Sequence, residues 1–194
     1  NINNIKWQET KISILGAGRS GIAAKDLALS IGANVFLSDN SKSLKIKKTK
    51  KLNIETGGHS TKILESDFVI ISPGVSDKLK IIKQCKKLEI PIVSEIEFSS
   101  WFTNSPTIAI TGSNGKTTTT SLLFKMVQNA GHNPLLGGNI GIPFSKNVYI
   151  ERKSRQKNIV HILELSSFQL EHIKLFKPII SCILNISPDH MDRY

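Results

Sequence analysis

A chain of 194 residues with 26 Lys and Arg against 15 Asp and Glu, a formal charge of +11, has room for one large domain or two small ones around a proper core. Ordinary apolar content without low-complexity runs excludes a fibrous or disordered chain, and no apolar stretch approaches the roughly 20 residues that a bilayer span requires. The polar amino end, Asn1 to Lys11, is unlike a secretory signal, so a cytoplasmic location with no membrane partner is expected.

Lys11 to Leu15 predicts a strand, followed at once by Gly16-Ala17-Gly18-Arg19-Ser20-Gly21 and an apolar helix reaching Ile31. A second strand, Asn34 to Ser38, ends in Asp39. Strand, GxGxxG turn, helix, strand and a terminal acid form the opening βαβ unit of a dinucleotide-binding fold, which by itself points to NAD with Asp39 on a ribose hydroxyl. Lysines 42, 45, 47, 48, 50 and 51 then crowd together, but no aromatic residue interleaves them to stack on bases. They are expected to form a solvated helix face, and no nucleic-acid partner is expected. Phe68 to Ile71 predicts a strand running into the turn Ser72-Pro73-Gly74-Val75, at the strand end where open α/β sheets bind ligands. A helix over Ile81 to Leu88 and a short strand over Ile90 to Val93 close the first domain near Ser94. Glu95 and Glu97, in the following crossing segment, are expected to be solvated or capping groups. Cys85 and Cys182, far apart in sequence, are expected to be buried free thiols.

Thr107 to Thr111 is a β-branched run, Gly112 and Gly115 break it, and Leu122, Leu123, Met126 and Val127 recur at helical spacing. A glycine loop between strand and helix turns backbone N–H groups inward, where the helix start adds partial positive charge, and phosphate oxygens bind there. Lys116 supplies an ammonium for the outer phosphates and Thr117 a hydroxyl for Mg²⁺. The spacing is a shorter variant of the usual P-loop, with Ile110 where the first glycine would stand. Gly137-Gly138-Asn139-Ile140-Gly141 is a second glycine cluster suited to close ligand approach. A charged loop, Glu151 to Asn158, precedes a buried strand, Ile159 to Leu163, ending in Glu164; an acid at that tip, in a chain with a phosphate loop, is an expected Mg²⁺ ligand. Leu165-Ser166-Ser167-Phe168-Gln169-Leu170 opens a helix. After a last strand, Ile179 to Leu184, His190 lies between Asp189 and Asp192 and is expected to be functional.

The fold class is therefore α/β: a Rossmann-like parallel-sheet domain over 1–94, a linker over 95–105, and the first part of a P-loop-type α/β ATPase domain over 106–194. With three or four strands of that second domain by Tyr194 and no initial methionine, the chain reads as a fragment. Four segments, Thr-Gly-Ser-Asn-Gly-Lys-Thr-Thr, Gly-Gly-Asn-Ile-Gly, Glu-Leu-Ser-Ser-Phe-Gln-Leu and Asn-Ile-Ser-Pro-Asp-His-Met-Asp-Arg-Tyr, fall in the order found in the ATP-dependent Mur ligases of peptidoglycan synthesis. The chain resembles that family over nearly all its length, and its last two segments are most similar to the D-glutamate-adding branch.

The resemblance implies an amide-bond ligase that uses ATP and Mg²⁺ to join D-glutamate to UDP-N-acetylmuramoyl-L-alanine, working as a monomer. It moves the first domain from NAD to the UDP moiety, with Arg19, Ser20, Asp39, Asn40, Ser72, Pro73 and Gly74 on that end. Asn139, Ser167, Gln169 and His190 would follow the rest of the UDP-substrate. ATP would sit on Gly112, Ser113, Asn114, Gly115, Lys116, Thr117 and Thr118. Thr117 and Glu164 would hold one Mg²⁺ and His190 a second; Lys116, Glu164 and His190 would be catalytic. The family's carbamylated lysine and third domain lie beyond these residues, so the 194 residues alone are expected to lack ligase activity.

Overall fold

The computed structural model describes residues 5–188. Five parallel strands, β1 (Lys11–Leu15), β2 (Asn34–Asp39), β3 (Leu52–Thr56), β4 (Phe68–Ile71) and β5 (Ile92–Ser94), make the first sheet in the order β3-β2-β1-β4-β5. Parallel strands are covered on both faces, which is why β4 reads Phe-Val-Ile-Ile and is buried at every residue. The chain leaves β1 toward β3 on one side and returns to β4 on the other. This reversal opens a crevice above the carboxyl ends of β1 and β4.

The second sheet has four parallel strands, β6 (Thr107–Thr111), β7 (Asn133–Gly138), β8 (Ile159–Glu164) and β9 (Ile180–Ile183), in the order β7-β8-β6-β9. Helices α1 (Arg19–Ser30), α3 (Glu95–Ser100) and α5 (Phe144–Lys153) lie between the two sheets, with α1 and α3 both packed on α5. One hydrophobic core runs through this layer, from Ile14, Leu37 and Ile70 of the first sheet through Leu27, Phe98, Phe144 and Val148 to Ala109 and Leu163 of the second. Helix α2 (Lys80–Lys87) buries Ile81, Ile82 and Cys85 against the outer face of the first sheet, and α4 (Lys116–Asn129) packs on β6, β7 and β8. The short α6 (Ser167–Leu170) follows β8. Among the described residues no helix is long and apolar enough to cross a membrane.

Several expectations need correction. Strands β3 and β7 are additional elements. The Lys42 to Lys51 stretch is not helical; its lysines are exposed, while Leu44 and Ile46, two residues apart, turn inward against the core, an extended spacing rather than a helical one. Residues 151–153 belong to α5 rather than to a loop. Cys85 is buried as expected, but Cys182 on β9 is exposed. Leu122 and Met126 are 61% and 59% exposed, because α4 turns Leu123 and Val127 toward the sheet instead.

Glu95 and Glu97 are not solvated: α3 carries both into the layer between the sheets. The Glu97 carboxylate accepts hydrogen bonds from the backbone N–H of Lys174 (2.9 Å), Leu175 (2.9 and 3.0 Å) and Phe176 (2.8 Å), and from Trp101 Nε1 (2.9 Å). Burial alone would raise this carboxyl, but those donors outweigh it and hold it below the usual range. Glu95 has fewer partners. Its Oε1 accepts from the Ser145 N–H at 2.5 Å, its Oε2 is buried with no hydrogen bond, and burial pushes the carboxyl up.

Candidate functional site

The wall formed by the first sheet is shaped by glycines and braced by its own side chains. Gly16 takes φ +91°, and a Cβ there would press on the Ser72 side chain at 3.0 Å; a Cβ on Gly21 would overlap the Gly16 carbonyl at 1.8 Å. Ser72 Oγ donates to that carbonyl at 3.2 Å, which ties the β4 turn to the β1 loop. Asp39 accepts from the Ala17 N–H (2.5 Å) and the Ser41 N–H (2.7 Å). Burial opposes ionisation of Asp39, yet these N–H groups keep its carboxyl below the ordinary value. The acid at the end of β2 thus holds the GxGxxG loop in place.

On the second sheet, Gly112 (φ +141°) and Gly115 (φ +80°) form the loop between β6 and α4. Gly115 is the N-cap and brings no side chain to the helix start, so the first N–H groups of α4 face the loop. Lys116 folds back, donating to the carbonyls of Gly112 (2.5 Å) and Ser113 (2.9 Å). Asn185, just past β9, clamps the tip: its Oδ1 accepts from the Asn114 N–H (2.9 Å) and its Nδ2 donates to the Asn114 carbonyl (3.0 Å). In the sequence, Asn185 is marked only as a polar residue directly behind a core strand. Thr118 lies exposed in the first turn of α4.

Glu164, the last residue of β8, is 1% exposed. Thr117 Oγ1 donates to its Oε2 at 2.8 Å, and Asn139 Nδ2 to its Oε1 at 2.8 Å. The Asn139 N–H also reaches the Glu164 carbonyl at 2.8 Å, across a gap where a Cβ on Gly138 would meet that carbonyl oxygen at 2.2 Å. The glycine cluster is therefore the close approach of β7 to the acid.

These two walls face each other across a cleft of about 760 Å³. Arg19, Ser20, Asp39, Asn40, Ser72, Pro73, Gly74, Asn139 and Gln169 all line it, together with Lys116. Arg19 also crosses to the other wall, donating to the Gly141 carbonyl. Gln169 turns partly inward, its Oε1 accepting from the Ser166 N–H at 3.1 Å in a capping box. Ser167 is elsewhere, in a second cavity of about 360 Å³ beside the loop, with Gly112, Ser113 and Asn185. Lys116 borders both cavities. His59, which sequence reasoning passed over, also lines the larger cleft. His190 lies outside the described residues.

The donor set suits a hard divalent cation only in part. Among the described residues no three His, Cys, Asp or Glu side chains converge on one point. Yet Glu164 is a nearly wholly buried carboxylate without a cationic partner among those residues; its donors, Thr117 and Asn139, are neutral. A buried carboxylate so placed accommodates a cation, and an oxygen set of one acid and one hydroxyl, completed by phosphate oxygens and water, is the kind Mg²⁺ takes.

Residues 11–81 match the family model of the MurD N-terminal domain, and residues 110–194 that of the Mur ligase middle domain. The chain is 43% identical over 194 residues to the UDP-N-acetylmuramoylalanine--D-glutamate ligase of Chloroherpeton thalassium, and 45% identical over 189 residues to that of Christiangramia forsetii. Each alignment covers 95% of this chain and 41% of the relative, so the chain spans about two fifths of the length of these relatives. Among solved structures, the fold is similar to the UDP-N-acetylmuramate:L-alanyl-gamma-D-glutamyl-meso-diaminopimelate ligase of Neisseria meningitides (TM-score 0.56, 19% identity, 95% of this chain and 63% of that one). It is also similar to the UDP-N-acetylmuramate-alanine ligase MurC of Thermotoga maritima (TM-score 0.51, 22% identity, 96% of this chain and 44% of that one).

Proposed function

Taking as premise that this chain belongs to the Mur ligase family, we propose that it carries the UDP-substrate and ATP sites of an enzyme that joins D-glutamate to UDP-N-acetylmuramoyl-L-alanine. The observation that supports this most strongly is the position of Lys116, on the border between the interlobe cleft and the cavity at the phosphate loop. An ammonium there reaches toward a ligand on either side. In this reading the UDP end lies against Gly16 to Ser20, Asp39, Asn40 and the Ser72 to Gly74 turn, and the acid end of the substrate points toward Lys116.

The reaction is the one the family resemblance implies, and that arrangement supports it. The alanyl carboxylate oxygen attacks the γ-phosphorus of ATP, the bond to the β-phosphate oxygen breaks, and ADP leaves behind an acyl phosphate. The amine of D-glutamate then attacks the acyl carbon, phosphate departs, and the nitrogen gives up a proton to leave the amide. Two anions meet in the first step, so positive charge at the transferring group supplies most of the acceleration. Lys116 and the N–H groups at the start of α4 provide that charge from the protein, and Lys116 exchanges its bonds to the Gly112 and Ser113 carbonyls for phosphate oxygens. Thr117 and Glu164 would hold Mg²⁺, which neutralises phosphate charge when bound. Asn139 keeps the Glu164 carboxylate oriented.

The test is phosphate release by the full-length protein given ATP, UDP-N-acetylmuramoyl-L-alanine and one amino acid at a time. Turnover dependent on D-glutamate is expected. Turnover with a different amino acid alone would reassign the enzyme to another branch of the family, and absence of nucleotide-dependent release with all of them would sink the ligase reading. The 194 residues alone should show no turnover.

A further inference from the structure

The segment after β3 places an imidazole in the cleft with one of its nitrogens already committed. Thr56-Gly57-Gly58-His59-Ser60 doubles back over the end of β2, helped by φ +77° at Gly57 and +152° at Gly58. It is stitched there by the Gly57 N–H on the Ser41 carbonyl (2.8 Å). His59 Nδ1 then lies 2.8 Å from Ser38 Oγ, a hydroxyl with no exposure. The same Oγ is 2.7 Å from Glu55 Oε2 and 3.0 Å from the Gly58 carbonyl.

A serine hydroxyl has one proton to give. The Glu55 carboxylate and the Gly58 carbonyl can only accept, so Ser38 spends its proton on one of them and has none for the ring. Glu55 is an ionised acceptor here: burial alone would raise its carboxyl, but the Ser60 N–H (2.9 Å) and Ser38 keep it below the ordinary range. His59 Nδ1 must therefore be the donor, to a lone pair of Ser38. In the neutral ring this leaves Nε2 bare. Burial lowers the His59 value, against the opposite pull of Glu55 and Asp39, so the ring is neutral at physiological pH.

We propose that His59, locked by Ser38 and Glu55 as its Nδ1–H tautomer, presents Nε2 to the cleft as a hydrogen-bond acceptor that reads an N–H or O–H donor on the nucleoside end of the substrate. This rests on the reading of the cleft as a UDP-substrate site. The neighbouring acid, Asp39, already accepts from Ala17 and Ser41, so its main function is to hold the loop, and His59 adds the acceptor that addresses the ligand. Two donors on uridine are the candidates: the imide N3–H and the ribose 2′-hydroxyl.

The experiment titrates UDP into the full-length protein and two variants by calorimetry. His59→Asn keeps an amide N–H in the Nδ1 position and so keeps the Ser38 anchor, but has nothing at Nε2; His59→Gln places an amide oxygen near Nε2. The expected result is a loss of about fivefold in UDP affinity for His59→Asn, one neutral hydrogen bond, with His59→Gln within about twofold of wild type. Repeating the titration with 3-methyl-UDP and 2′-deoxy-UDP identifies the donor: against one of the two, wild type and His59→Asn should bind alike. UDP bound equally by wild type and His59→Asn would overturn this role for His59 alone, as would an undiminished His59→Asn deficit with both analogues. UDP that fails to bind wild type would overturn the substrate-site reading as well.

Discussion

The carboxyl ends of the two sheets solve opposite problems. On the first sheet nearly every polar group at the strand ends is committed to the wall itself: Asp39 to Ala17 and Ser41, Ser72 to Gly16, and the Ser38 hydroxyl to Glu55 or Gly58. On the second, the charged groups at the strand and helix ends are held only lightly. Lys116 bonds carbonyls of its own loop, and Glu164 meets a hydroxyl and an amide. A prebuilt wall binds by shape, whereas a wall with charge in reserve can follow a charge that moves during reaction.

That contrast is broken most severely by Lys116→Ala. Turnover of the full-length protein should fall about 10³-fold, the scale of losing one charge-stabilising donor. Far-UV circular dichroism should stay unchanged, since Lys116 is tied only to its own loop. Glu97→Ala tests the layer between the walls. It leaves three backbone N–H groups and the Trp101 indole without their acceptor, and should cost about 3–4 kcal/mol in urea unfolding. Because the folded Glu97 carboxyl is depressed, its contribution is present above the unfolded value and disappears as pH falls through the folded one. The difference between wild type and Glu97→Ala should therefore shrink in acid.

On the first wall, Gly21→Ala forces a Cβ to within 1.8 Å of the Gly16 carbonyl, so the loop must move. A loss of about 2 kcal/mol in stability, typical of overpacking, should accompany weaker UDP binding, measured by thermal melts with and without UDP. Glu95→Gln should have the smallest effect, within about 1 kcal/mol in urea unfolding. Its sign reverses that of Glu97: a carboxyl raised by burial stabilises only while protonated, so the amide should gain on wild type as pH rises.

What was legible in the sequence was what the backbone itself demands. The two glycine loops could be placed because φ near +80 to +90° at Gly16 and Gly115 favours glycine, and β1, β4, β6 and β8 because strands covered on both faces are rich in β-branched and apolar residues, β4 being apolar throughout. Two of the four edge strands, β3 and β7, escaped notice. β3 reads Leu-Asn-Ile-Glu-Thr, an alternation of only two apolar residues directly behind the lysine run, and β7 opens Asn-Pro, tolerable where one side of the strand needs no partner. Glu97 looked solvated because the backbone donors to its carboxylate lie 77 to 79 residues away, and the sense of His59 depends on a hydroxyl and a carboxylate from two other strands. The lysine run misled in the other direction, since charge density alone says nothing of whether a backbone coils.

The core that continues beneath both sheets has a consequence for selectivity. Close-packed side chains from Leu37 to Leu163 leave no plane along which one half can slide over the other, so the distance from the GxGxxG loop to Lys116 is fixed when the chain folds. Under the function proposed above, that interval acts as a ruler: a nucleotide-linked acid is selected by its length as well as by its chemical features.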